Sequence, residues 1–109
     1  MTRVTLFWGK GGLVGLESQG HSGQGAAGED IVCAAVSTLT QTLLIGVRDV
    51  AGVGEAECEM NKSAALIRVR WPEAKAPELD LLTRSIVFSL REVALRYAEF
   101  VSISEVYES

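Results

Sequence analysis

The chain has 109 residues, 48% of them hydrophobic and 22% charged, the size and make-up of one soluble globular domain with a real core. Its formal net charge of -4 argues against a nucleic-acid-binding surface and leaves a basic peptide or protein as the compatible partner. Two cysteines are no disulfide framework, and with one histidine they make a poor zinc set, so neither a metal nor another cofactor is expected.

Val4 to Trp8 reads as a first strand, and Gly9-Lys10-Gly11-Gly12 as a turn rich enough in glycine to supply positive φ. Leu13 to Gln19 returns as the second strand of a hairpin. The glycines at the turn are not a phosphate-binding loop, since the spacing to a Lys-Ser/Thr pair is missing and no helix follows. Gly20 to Glu29 is a loop with four glycines in ten positions, the composition of a lid.

Asp30 reads as the N-cap of a helix running from Ile31 to about Ala51, which places Cys33 at its third position. That helix is apolar almost all round, so it is expected to be buried on more than one side and to serve a subunit interface, hence a homodimer. Glu55 to Met60 alternates, with Ala56, Cys58 and Met60 on the inward face and three glutamates opposite. Asn61-Lys62-Ser63 is a turn. Ala65 to Trp71 alternates again, with Ile67, Val69 and Trp71 inward and Arg68 and Arg70 facing the glutamates across a hairpin.

Pro72 to Pro77 reads as a linker. A second, amphipathic helix follows over roughly Glu78 to Phe100, and Val101 to Tyr107 is a last strand. The order β-β-α-β-β-α-β implies a single α/β domain over 1–109, with two helices packed on a mixed sheet. The N-terminus lacks the apolar stretch of a signal peptide and no apolar run reads as membrane-spanning, so a cytoplasmic protein with reduced thiols is expected, with no membrane partner.

The most specific feature is a pair of residues at the two ends of the glycine-rich loop: His21, the only histidine, and Cys33 at the start of the apolar helix. A thiol near the positive end of a helix dipole is favoured as thiolate. A histidine carried over it by the loop can take its proton, which is the minimal equipment for cysteine nucleophilic catalysis. Read blandly, each is ordinary: a lone cysteine is usually a small hydrophobe, the reading that suits Cys58, and a loop histidine usually binds backbone. Asp30 is a structural cap or a group that orients the histidine. As a cap it would occupy the Cys33 amide, which is also a natural oxyanion donor. Ser37, one turn after Cys33, can bond the thiolate or the histidine, or bond back to the Cys33 carbonyl. Glu17, Glu29 and the glutamates at 55, 57 and 59 read as solvated surface.

With Gly20-His21 followed by Asp30-Ile31-Val32-Cys33-Ala34-Ala35-Val36-Ser37, and with this element order and length, the chain resembles the ribosomal-processing cysteine protease family. The resemblance implies a small cytoplasmic dimeric endopeptidase that removes an N-terminal extension from a large-subunit ribosomal protein. It makes His21 the catalytic histidine and Cys33 the nucleophile, with Gly20, Ser22, Asp30 and Ser37 as supporting or substrate-loop residues. The chain departs from the family in Ser22, where relatives carry alanine, and in the absence of an aromatic residue from Gln24 to Gly28. The rival readings are a non-enzymatic ribosome-associated binding module and a redox-sensing thiol protein.

Overall fold

The structure, a computed structural model, describes residues 1–20 and 28–108. Strand β1 spans Thr2–Gly9 and β2 spans Gly12–Gln19. They form an antiparallel hairpin whose register slips once, between Phe7 and Trp8. Gly12 closes the turn at φ 138°, a conformation that only glycine adopts cheaply. Helix α1 spans Glu29–Ile45, strand β3 Glu57–Asn61, strand β4 Leu66–Arg70, helix α2 Asp80–Arg96 and strand β5 Val101–Tyr107. A single 3-10 turn, Glu73–Lys75, sits in the segment expected to be a plain linker.

The strands make one mixed sheet in the order β3-β4-β2-β1-β5. All neighbours are antiparallel except β1 and β5, which run parallel from Thr2 opposite Val101 to Trp8 opposite Tyr107. Both helices cover one face. Val4, Leu6 and Leu16 rise from the sheet to meet Val36, Leu43 and Leu44 of α1 and Leu90 of α2, each of them at most 2% exposed. Complete burial of such side chains contributes about 1.5–3 kcal/mol apiece. The indole of Trp71 is buried too and donates from Nε1 to the Leu13 carbonyl at 2.8 Å. The fold class and element order are those expected from the sequence.

Several boundaries differ, for identifiable reasons. The N-cap of α1 is Gly28, at φ 93°, not Asp30. Glycine reaches that left-handed conformation without strain, so the helix begins two residues earlier than the side-chain cap suggested. Asp30 therefore lies inside the first turn, where its charge suits the helix dipole. The α-helix ends at Ile45 and continues as a π-helical turn, Gly46–Val50, in which the Ala51 amide donates to the Gly46 carbonyl at 2.8 Å. Gly46 is the close point between the helices: a β-carbon there would stand 2.6 Å from Leu82 Cδ2. Helix α2 is also shorter than expected at both ends.

The largest correction concerns β3. Every residue of it is exposed, including Cys58 and Met60, which the alternation had assigned to the core. Alternation identifies two faces but not whether anything covers them. Here β3 is the sheet edge, and the buried faces of the helices end over β4 and β2. Its glutamates are the kind of charge that discourages edge-to-edge pairing. They meet the arginines only in part: Arg68 contacts Glu59 at 3.2 Å and also pairs with Glu17 of β2. Arg70 instead reaches Glu108 at 2.6 Å and stacks 4.7 Å over the Phe7 ring. Glu17 and Glu29 are thus paired rather than merely solvated, Glu29 with the amino group of Met1.

Helix α1 is buried along one face only. Ile31 is 76% exposed and Ile45 47% exposed, so its apolar girth is not consumed within the domain. By length and composition, the continuous helical stretch Glu29–Val50 is apolar enough to cross a membrane, against the expectation of no such run. Its Val32, Val36, Leu43 and Leu44 face is packed on the sheet, as in a core helix.

Candidate active site

One end of the sheet gathers the start of β1, the end of β2, the β3–β4 turn and the first turns of α1. The antiparallel pairing of β1 with β2 puts Thr2 and Gly20 at this end. The β2–β4 ladder, in which Gln19 faces Leu66, brings the β3–β4 turn beside them. The Gly20 amide donates to the Ala65 carbonyl at 3.1 Å. Ala65 is the one non-glycine residue with positive φ among the described residues, at 50°. Asn61 Oδ1 accepts from the Ala64 amide at 3.1 Å, and the Ala65 amide donates to the Lys62 carbonyl at 3.1 Å, which together shape that turn.

Cys33 is half-buried and faces this end from α1. A β-carbon added to Gly20 would lie 2.8 Å from Cys33 Sγ and 3.1 Å from the buried Thr2 Oγ1. The backbone of Gly20 is therefore laid directly against the thiol, with no room for a side chain. The next residue in the chain is His21. His21 and Ser22, with the remainder of the loop through Ala27, lie outside the described residues.

Because α1 starts at Glu29, Cys33 occupies its second turn rather than its first, and the helix-start field acts on it more weakly than expected. Its amide also lies within the hydrogen-bonded body of the helix, since Val32 one residue earlier already donates to the Gly28 carbonyl at 3.1 Å. An oxyanion would have to be met by other donors, and the conflict between capping and oxyanion binding at this amide disappears. Ser37 lies one turn further on. Thr38, Thr40 and Thr42 each donate to the carbonyl four residues back, at 2.8 Å; among the described residues Ser37 makes no such bond. Its side chain instead lines a cleft of about 160 Å³ between α1 and the β3–β4 hairpin.

The second thiol has a different setting. Partial burial pushes Cys58 above the usual thiol range, the nearby Arg48 guanidinium pulls it down, and Asp49 raises it. Arg48 and Asp49 are exposed and paired with each other at 2.8 Å. Among the described residues no group of three or more histidine, cysteine or carboxylate side chains could hold a metal ion.

Cys33, in the second turn of α1, is thus held against Gly20, the residue that follows β2. The family model for the cysteine protease Prp matches residues 1–102, and the chain belongs to that family. The structure of SMU.848 from Streptococcus mutans is similar over 99% of this chain and 96% of that one, with 27% identity and a TM-score of 0.83. An essential ribosomal processing protease Prp from S. aureus, solved in complex with a substrate peptide, has 18% identity and a TM-score of 0.83 over 97% of this chain and 100% of its own. The same S. aureus protease with a covalently linked product peptide matches at 19% identity and a TM-score of 0.77, over 97% of this chain and 100% of its own. No curated protein matches the sequence.

Proposed function

We propose that this cysteine protease is a ribosomal-processing endopeptidase, that Cys33 is its nucleophile and that His21 is its acid–base partner. The observation that carries the reading is the contact of Gly20 with the Cys33 sulfur, because Gly20 is the residue joined to His21. In the reaction, His21 takes the Cys33 proton as sulfur attacks the scissile carbonyl. The tetrahedral adduct collapses with loss of the C–N bond, and His21 hands its proton to the departing amine. Water then attacks the thioester, releasing the acid and restoring the thiol. Ser22, Asp30 and Ser37 support substrate or histidine.

The substrate on this reading is the N-terminal extension of a large-subunit ribosomal protein, which the S. aureus relative's description as a ribosomal processing protease supports. The protease acts in the cytoplasm, with no nucleic acid and no membrane as partner. It works as a homodimer. Ile45 and Val50, both exposed, border an apolar groove of about 570 Å³ with Leu79 and Leu82 of the neighbouring segment, a surface suited to a second copy.

The test is incubation of the protein with that extension as a synthetic peptide, read by mass spectrometry. A single cut that Cys33→Ala eliminates is expected. An intact peptide would refute the substrate assignment. Sedimentation showing only an 11.7 kDa species would refute the dimer.

A further inference from the structure

We infer that the buried hydroxyl of Thr2 donates a hydrogen bond to the Cys33 sulfur once that sulfur is a thiolate, and so helps to activate the nucleophile. The inference rests on the reading of Cys33 as the nucleophile. It adds a donor from the first strand to a site otherwise built from a loop and a helix.

Thr2 occupies a core position. It alternates with Val4 and Leu6 on the face of β1 that the helices cover, and it is 2% exposed. Its backbone is pinned from the other side: the amide donates to the Phe100 carbonyl at 2.7 Å, and the residue pairs with Val101 of β5. The side chain is aimed at the site. From the point where a Gly20 β-carbon would stand, Cys33 Sγ is 2.8 Å away, Thr2 Oγ1 3.1 Å and the Thr2 methyl carbon 3.7 Å. The hydroxyl rather than the methyl is thus turned toward the position that the sulfur flanks. With glycine there, residue 20 puts no side chain between oxygen and sulfur.

Among the described residues this hydroxyl has no hydrogen-bond partner. The two other buried threonines do: Thr40 donates to the Val36 carbonyl at 2.8 Å and Thr83 to the Asp80 carbonyl at 3.2 Å. A hydroxyl left unpaired in a packed core costs free energy that a methyl in its place does not. A neutral thiol is a weak acceptor, whereas a charge-assisted hydrogen bond is a strong one. The partner therefore arises in the reaction. As the Cys33 proton passes to His21, the Thr2 hydroxyl keeps its own proton and turns it onto the negative sulfur. Hydrogen bonding to a charged form favours that form.

The experiment sets Thr2→Val against Thr2→Ser. Valine keeps the shape and removes the hydroxyl; serine keeps the hydroxyl and removes the methyl. Three quantities are read: the urea midpoint, the rate of iodoacetamide labelling of Cys33 relative to Cys58 at neutral pH, and kcat and KM on a cleaved peptide. Thr2→Val should be at least as stable as the wild type, because an unpaired buried hydroxyl is gone. It should nevertheless label Cys33 roughly 3- to 10-fold more slowly relative to Cys58, with a similar fall in kcat and little change in KM. Thr2→Ser should be less stable, having lost a buried methyl, yet label and cleave close to the wild-type rate. A threonine with a purely structural role gives the reverse order, both rates following stability. Wild-type labelling or turnover in Thr2→Val, a loss in Thr2→Ser as large as in Thr2→Val, or a Thr2→Val protein that does not fold overturns the inference and leaves the protease standing. Failure of the wild type to cleave any peptide while Cys33 still labels overturns the proteolytic reading, and the inference with it.

Discussion

Gly20 and Cys33 touch so closely that a β-carbon on the glycine would stand 2.8 Å from the sulfur. A real Cβ does not tolerate that distance, and the buried Thr2 hydroxyl closes off the other side. Gly20→Ala is therefore expected to move the thiol or the strand end. With Cys33 as the proposed nucleophile, displacement by about 1 Å costs on the order of 100-fold in rate, so kcat/KM should fall by about that factor. Circular dichroism should show the fold retained. Full activity in Gly20→Ala would mean that the sulfur does not need its present seat.

On the proposed dyad, Cys33→Ala and His21→Ala should each lower peptide cleavage by roughly 10⁴-fold or more, and the double variant should be little worse than either, because a nucleophile and its base act as one unit. Steady-state and single-turnover rates on one peptide measure this. Strictly multiplicative losses would show that the two residues work independently.

The two thiols should separate by pH. Cys58 is held above the usual thiol range, so less of it is thiolate at neutral pH, and iodoacetamide should label Cys33 before it despite the exposure of Cys58. Removing Arg48 takes away a charge that favours the thiolate and leaves Asp49, which disfavours it. Arg48→Ala should thus slow Cys58 labelling at mildly alkaline pH, and Asp49→Asn should speed it. Peptide mapping of alkylated protein reads both, and changes in the opposite directions would refute the charge assignment.

Ala65 sits at φ 50°, where side chains are strained and glycine is not. Ala65→Gly should be neutral or stabilising in urea denaturation. Ala65→Val, β-branched in the same conformation, should be less stable than Ala65→Gly by about 1–3 kcal/mol. Since Ala65 holds Gly20, the valine variant should also lose activity beyond what its folded fraction explains. Equal stability for the glycine and valine variants would remove the strain from this turn.

The strands, both helices and their order were legible because alternation and helical periodicity are local signals. The parallel pairing of β5 with β1 was not, since nothing local specifies which strand edge the last segment seeks. Asp30 and Gly28 both offered a helix start, and the left-handed backbone at Gly28 prevailed over the side-chain cap. Cys58 alternated like a core residue, but its fate depended on where the helices stop covering the sheet. Cys33 was expected in the first turn of the helix and stands in the second, because the helix starts earlier. The closeness of Gly20 was not legible, because it depends on the end of β2 and the second turn of α1 meeting in space. The cleft beside Ser37 was equally hidden, its far wall coming from a hairpin well downstream of it in the chain.

The hydrogen bond from the Gly20 amide to the Ala65 carbonyl has a bearing on how such a protease can diversify. Insertions in a surface turn are ordinarily the cheapest route to new binding preferences. Here an added residue between β3 and β4 would shift the carbonyl that anchors Gly20, and would disturb the thiol along with the cleft. Variation of this turn is therefore confined to exchanging side chains at constant length.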